Sequence, residues 1–183
     1  MTAASRRHVA TTVLVFALSF GLASASAAAL SMTEACTLTV NTYAWYLDHP
    51  GPDPVRRAEE FASLFTDDAS LTRPDYAPEP ETFHGRAAIA QSYLETIAYS
   101  RLLYLTSNIR IMPVTDTTAT GTSSLTVYMH ADTGSMKDEG ASTAILENRD
   151  AYEMTKDGCK FSDRTSTLRF LSNLGVIEPA DGD

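Results

Sequence analysis

The chain has 183 residues, 44% of them hydrophobic, with 14 Lys and Arg against 23 Asp and Glu. A formal charge of −9 argues against nucleic acid and anionic membranes as partners, because a surface this acidic repels phosphate. The length suffices for one domain with one core.

Arg6 and Arg7 precede an apolar run from Val9 to Ala23, and small residues follow in "ASASAAA". The run is shorter than the roughly 20 residues a spanning helix needs. This layout predicts a secretory signal over residues 1–27, cleaved at Ala23-Ser24-Ala25 or Ala25-Ser26-Ala27. The alternative is an uncleaved N-terminal anchor. Residues 28–183 then form a single secreted or periplasmic domain, with no membrane contact after cleavage. The signal removes two of the 14 basic residues, which leaves 12 against 23 acids and a formal charge of −11. Cys36 and Cys159 are an even pair in an exported chain, which predicts a disulfide. The alternative is two buried free thiols. Neither cysteine sits in a metal-ligand pattern, and no metal or cofactor is expected.

Residues 33–48 read as a helix. Cys36, Val40, Tyr43, Ala44 and Leu47 recur at helical spacing and form one buried stripe. His49-Pro50-Gly51-Pro52 ends it. Asp53 is placed to cap the next helix, with Pro54 in its first turn. Val55, Ala58, Phe61, Ala62 and Phe65 give that helix its buried side. "LFTDDASLTRP" reads as a first strand, and a proline-rich loop, Pro74 to Pro80, leads on. "FHGRAAIAQSYLETI" reads as a strand tip, a glycine and a third helix.

After residue 100 the period changes from helical to two. "RLLYLTSNIRIM", "TSSLTVYMHAD", "AILENRDAYEMT" and "KFSDRTSTLRFL" are four strand candidates. Helices followed by antiparallel strands predict an α+β fold. Three N-terminal helices would pack on a curved, mostly antiparallel sheet and enclose a conical pocket.

On the third of these strands Leu146, Asn148, Asp150, Tyr152 and Met154 share one face, so Asp150 is expected to point inward. Asp157-Gly158 is a hairpin signal. That register sets Met154 opposite Phe161, Tyr152 opposite Asp163 and Asp150 opposite Thr165. Arg164 would then face the other way, beside Ala151, and Asp150 would lack a cationic partner. Burial and nearby Asp163 would raise its pKa, which marks a candidate site. The alternative is a solvated carboxylate on an edge strand.

Tyr104, Thr106 and Asn108 alternate with Leu103, Leu105, Ser107, Ile109 and Ile111, and Tyr128 and His130 form a similar pair on the next strand. Arg73 could meet an acidic ligand, or Asp67 or Asp68. Tyr43 and Asp48 are about 140° apart around the first helix at roughly 100° per residue, so only Tyr43 lies on the buried stripe. Asp48 sits at a helix C-terminus, where a carboxylate opposes the macrodipole, so it needs a cation or a task. Trp45, also off the stripe, could wall the pocket or meet a partner chain.

The order helix–helix–strand–helix–four strands resembles the nuclear-transport-factor-2-like fold. "TYAWYLD", "FASLFTDDASL", "FHGRAAIAQSY", "LTSNIRI" and "DGCKFSDR" resemble SnoaL-like domains, over nearly all of the mature chain. The resemblance implies isomerase, polyketide cyclase or dehydratase relatives, alongside members that only bind. Against ketosteroid isomerases, Tyr43 falls on the tyrosine that donates to the developing enolate, and Asp150 on the protonated aspartic acid beside it. The isomerase base position, before Pro74, is Arg73, which is no base. Against bile-acid dehydratases, Tyr43 and Asp48 match. The histidine four residues before Asn108 is replaced by Tyr104. Epoxide hydrolases place Arg and Asp two apart on one strand face; Arg149 and Asp150 are adjacent and point to opposite faces.

The expectation is a small, largely apolar, polyketide- or steroid-like ligand. Tyr43, Asp48 and Asp150 are the candidate catalytic groups, and Trp45, Arg73, Tyr104, Asn108 and Tyr128 the candidate ligand contacts. The alternatives are a non-catalytic binding protein or a dimeric interaction module, and the faces left outside the cone suit a homodimer.

Overall fold

The computed structural model describes residues 30–74, 80–98, 101–130 and 141–174. The signal expected over residues 1–27, and residues 75–79 of the proline-rich loop, lie outside them. Among the described residues no helix is long and apolar enough to cross a membrane.

Helix α1, Met32–Asp48, begins at a capping box. Ser31 Oγ accepts from the Glu34 N–H, and the Glu34 carboxylate accepts from the Ser31 N–H at 2.9 Å. Its buried side holds Cys36, Val40, Tyr43, Ala44 and Leu47, the stripe set by the spacing. Asp53 accepts from the Arg56 N–H at 3.1 Å and opens α2, Pro54–Ala62, with proline in the first turn. Ala58, Phe61 and Ala62 are buried there, while Val55 is exposed. Strand β1 is Phe65–Arg73, β2 is Glu81–His84 and α3 is Gly85–Ala98. Gly85 takes φ 78°, a left-handed turn from strand to helix that favours glycine. Four long strands follow: β3 (Arg101–Pro113), β4 (Thr118–His130), β5 (Ala141–Thr155) and β6 (Gly158–Leu174).

The six strands run in the order β2-β1-β6-β5-β4-β3. Only β1 and β6 pair in parallel; the other neighbours are antiparallel. The three helices cover one face of this curved sheet, the α+β cone expected from the change of period. An aromatic knot joins the layers: the Tyr43 ring lies 5.0 Å from Phe61, 6.3 Å from Phe65 and 5.9 Å from Phe161, centre to centre. A disulfide between Cys36 and Cys159 fastens α1 to the start of β6. Beside it Thr39 Oγ1 donates to the Cys159 carbonyl at 2.7 Å.

Three local irregularities correct the expected strand faces. The hairpin turns on Lys156 and Asp157, with Gly158 following at φ 107°, so Thr155 pairs with Gly158 and Tyr152 with Phe161. A bulge then leaves Ser162 without a partner in the ladder, and Asp150 comes to face Arg164, not Thr165. On β3, Asn108 takes φ 52° inside a second bulge, between the pairs Ser107–Ser124 and Arg110–Thr122. The alternation changes phase there: Tyr104 and Thr106 are inward before it, Ile109 and Ile111 after it, and Asn108 itself is exposed.

Candidate functional site

The cone encloses a cavity of about 490 Å³. Its inner wall is built from Tyr43 and Leu47 of α1, Phe61 of α2, Leu71 of β1, Leu125 and Val127 of β4, Leu146 of β5 and Ser166 of β6, all buried. The exposed end is made by Arg73, Glu81 and Glu95, so this is the mouth. Periodicity explains the apolar wall: odd-numbered residues of β4 from Ala119 to Met129 face inward, as do even-numbered residues of β5.

Most polar groups on the wall are already committed. Tyr93 Oη donates to the Tyr46 carbonyl at 2.8 Å, Ser92 Oγ to the Ile89 carbonyl at 2.8 Å, and Ser166 Oγ to Asn148 Oδ1 at 2.7 Å. Asn148 in turn donates to Ser123 Oγ at 3.1 Å. Tyr43 Oη makes no hydrogen bond among the described residues. Burial raises the Tyr43 pKa, with the nearby Arg164 cation pulling it partly back, so the hydroxyl stays protonated at neutral pH.

Behind Tyr43 lies a buried charge pair. Arg164 is 0% exposed, and its guanidinium carbon sits 4.2 Å from the Tyr43 ring centre and 4.7 Å from that of Phe161. Its Nη1 is 3.7 Å from Asp150 Oδ1. Asp150 Oδ2 accepts from Tyr152 Oη at 2.8 Å. Nε, Nη1 and Nη2 of Arg164 find no hydrogen-bond acceptor among the described residues. The expectation that Asp150 lacks a cationic partner is therefore corrected: the Ser162 bulge turns Arg164 onto its face. Burial still raises the Asp150 pKa, while Arg164 and the Tyr152 hydroxyl hold it back. Arg164 is the residue that sequence reasoning missed. It lies in the "DGCKFSDR" stretch, but a bulge is needed to turn it inward.

The other candidates divide. Tyr104 lines the cavity, and so does Arg73. Arg73 pairs with Glu81 at 3.0 Å and Glu95 at 3.4 Å, not with Asp67 or Asp68; Asp67 instead meets Arg86 at 2.8 Å. Asp48 is off the cavity wall. It accepts from the Tyr104 N–H at 2.6 Å, which supplies the task its helix-end position demanded. Burial raises its pKa, and that hydrogen bond opposes the rise. Trp45 is 46% exposed on the outer side of α1, stacked on His49 and facing Arg57, so it does not wall the pocket. Asn108 is turned out by its bulge and donates to Ser124 Oγ at 3.2 Å. Tyr128 is 43% exposed because β4 sends Val127 and Met129 inward and Tyr128 outward. The His130 side chain lies outside the described residues. No group of three His, Cys, Asp or Glu side chains suited to a metal occurs among the described residues.

Many solved structures share this architecture, among them the following three. A provisional scytalone dehydratase from Novosphingobium aromaticivorans is 21% identical, with a TM-score of 0.59 over 81% of this chain and 93% of that one. Hexachlorocyclohexane dehydrochlorinase LinA-type3 from Novosphingobium barchaimii is 15% identical, with a TM-score of 0.63 over 81% and 93%. A provisional dehydratase of the NTF2-like family from Streptomyces avermitilis is 14% identical, with a TM-score of 0.62 over 76% and 97%. At these identities the likeness establishes the fold alone. No curated protein matches the sequence. The SnoaL-like domain family matches residues 28–165, and the chain belongs to that family.

Proposed function

We propose that the protein binds a small, largely apolar, polyketide- or steroid-like molecule through one acceptor oxygen, with Tyr43 as the donor. The observation that carries this is an apolar cavity of about 490 Å³ whose wall includes one uncommitted, protonated tyrosine hydroxyl. A ligand that covered this hydroxyl without accepting from it would leave a desolvated donor unpaired, at about 1–3 kcal/mol, so a ligand oxygen is favoured there over a hydrocarbon. The protein is exported through the N-terminal signal and acts outside the cytoplasm; the disulfide supports that compartment.

Binding is favoured over acid/base catalysis by the placement of the carboxylates. Glu81 and Glu95, the acidic residues of the wall among those described, are both engaged by Arg73 at the mouth. Asp48 serves the β3 backbone, and Asp150 lies behind Tyr43 against Arg164. The dehydratase and dehydrochlorinase names of the structural neighbours support elimination as a second reading, in which Tyr43 would hydrogen-bond the departing group.

The test is native mass spectrometry of the mature protein against a panel of steroid and polyketide ketones, each paired with its deoxygenated hydrocarbon. Ketones are expected to bind more tightly. Tyr43→Phe is expected to lower ketone affinity by roughly threefold to tenfold and leave hydrocarbon affinity unchanged. Equal loss for both, or no binder in the panel, overturns the reading.

A further inference from the structure

The mouth of the cavity carries an excess of negative charge around a cation that two carboxylates already engage. Arg73 Nη1 donates to the Ser92 carbonyl at 3.0 Å and to Thr96 Oγ1 at 2.8 Å. Its Nη2 donates to Glu81 Oε2 at 3.0 Å and Glu95 Oε2 at 3.4 Å. One face of the guanidinium covers the Phe83 ring, 4.5 Å from its centre. The side chain is thereby stretched across β1, β2 and α3. Among the described residues no other charged residue lines the cavity, so the described wall carries one positive and two negative charges. The Arg164–Asp150 pair behind Tyr43 adds one charge of each sign.

We infer that this pocket selects uncharged ligands and rejects carboxylates and sulfonates, with Glu81 and Glu95 as the residues that set the selection. The inference rests on the binding reading above and names the charge class of its ligand. An anion entering past Arg73 would meet a cation whose two terminal nitrogens are already engaged, and a surplus carboxylate. Arg164 is not part of the cavity wall. The Tyr43 ring lies against its guanidinium, and Asp150 already supplies the opposite charge. An uncharged ligand meets no such opposition and can still accept a hydrogen bond from Tyr43. The effect should be moderate, because both glutamates are about half exposed and water and salt screen them.

The test uses two fluorescent probes of one skeleton: N-phenyl-1-naphthylamine, which is neutral, and 8-anilinonaphthalene-1-sulfonate, which adds a sulfonate. In titrations of the mature, disulfide-bonded protein at low salt, the neutral probe should bind roughly tenfold more tightly or better. Glu81→Gln with Glu95→Gln should raise sulfonate affinity at least threefold and leave the neutral probe unchanged. Glu59→Gln with Glu153→Gln, the same charge change at exposed positions off the cavity wall, should not. A sulfonate that binds as tightly as the amine, or two double variants that behave alike, overturns the inference and leaves the binding reading standing. Failure of both probes to bind overturns both.

Discussion

Arg164 Nη1 lies 3.7 Å from Asp150 Oδ1, with the two side chains 1% and 0% exposed. At that distance the attraction does not fully offset desolvation, so the Asp150 pKa remains raised. A raised carboxyl pKa means that the folded state holds the proton more tightly than the unfolded one. The stability from this group is fully present below the unfolded value of about 3.9 and is lost as pH rises through the folded value. Arg164→Met removes the strongest influence that lowers that pKa, so it should rise further. The variant is expected to lose more stability than the parent between about pH 4 and neutrality. Urea midpoints across that range check this, and parallel profiles for parent and variant would sink it.

Gly121, paired with Asp150 across β4 and β5, is a second fixed point. A Cβ added there would lie 2.9 Å from the Arg110 carbonyl oxygen, 2.9 Å from Ile111 Cδ1 and 3.0 Å from Tyr152 Cε2. The backbone oxygen cannot step aside, and Tyr152 is the ring that donates to Asp150. Gly121→Ala is expected to destabilise by about 1–3 kcal/mol. Denaturant unfolding measures it; a loss under about 0.5 kcal/mol would mean that the sheet relaxes freely there.

The Cys36–Cys159 bond spans 123 residues. Cross-linking so long a loop restricts the unfolded chain by about 4–5 kcal/mol in the ideal model. Cys36→Ala with Cys159→Ala should cost about 2–5 kcal/mol and leave the cavity intact. Peptide mapping without reductant should find the two cysteines joined; two free thiols in exported protein would refute the bond.

The outer face of the sheet carries Leu103, Leu105, Tyr128, Ile145 and Phe170, all substantially exposed. Leu105, Thr126, Ile145 and Phe170 stand in one cross-strand row. A second copy of the chain, packed sheet on sheet, is the proposed cover. Light scattering at tens of micromolar should give a dimer mass, and Ile145→Glu should shift it to a monomer. A monomeric parent would count against the proposal.

The architecture was legible because its signals are periodic and local. The α1 stripe, the Asp53-Pro54 start of α2 and the change to period two after residue 100 each follow from neighbouring residues, and the cone follows from their order. Tyr43 was found the same way, since its helix stripe fixes its direction. The errors at Asp150, Asn108 and Arg164 share one origin. A bulge inserts a residue, reverses the faces beyond it and leaves no strong mark in the composition. Asn108 was the one faint sign, because asparagine tolerates the left-handed backbone that a bulge can need. Arg73 failed for another reason: its partners Glu81 and Glu95 lie in other elements, and proximity in sequence pointed to Asp67 and Asp68.

Asp48 separates an anchor from a base. It closes α1 and takes the Tyr104 N–H at 2.6 Å, and β3 is the sheet's edge strand. An N–H on an edge strand is secured by an acceptor placed over it, and Asp48 supplies one. An amide carbonyl at the same position could accept that hydrogen bond, so Asp48→Asn should keep it, whereas Asp48→Ala cannot. The alanine variant is expected to lose about 1 kcal/mol of stability, and the asparagine variant less than half of that. The local readout is sharper than the global one. Amide exchange at Tyr104 should quicken in Asp48→Ala and stay near the parent rate in Asp48→Asn. Ligand affinity should be unchanged in Asp48→Asn, because the carboxylate does not line the cavity. Unaltered Tyr104 protection in Asp48→Ala would show that the carboxylate is not what secures β3. A conversion of ligand that stops in Asp48→Asn would restore Asp48 as a base.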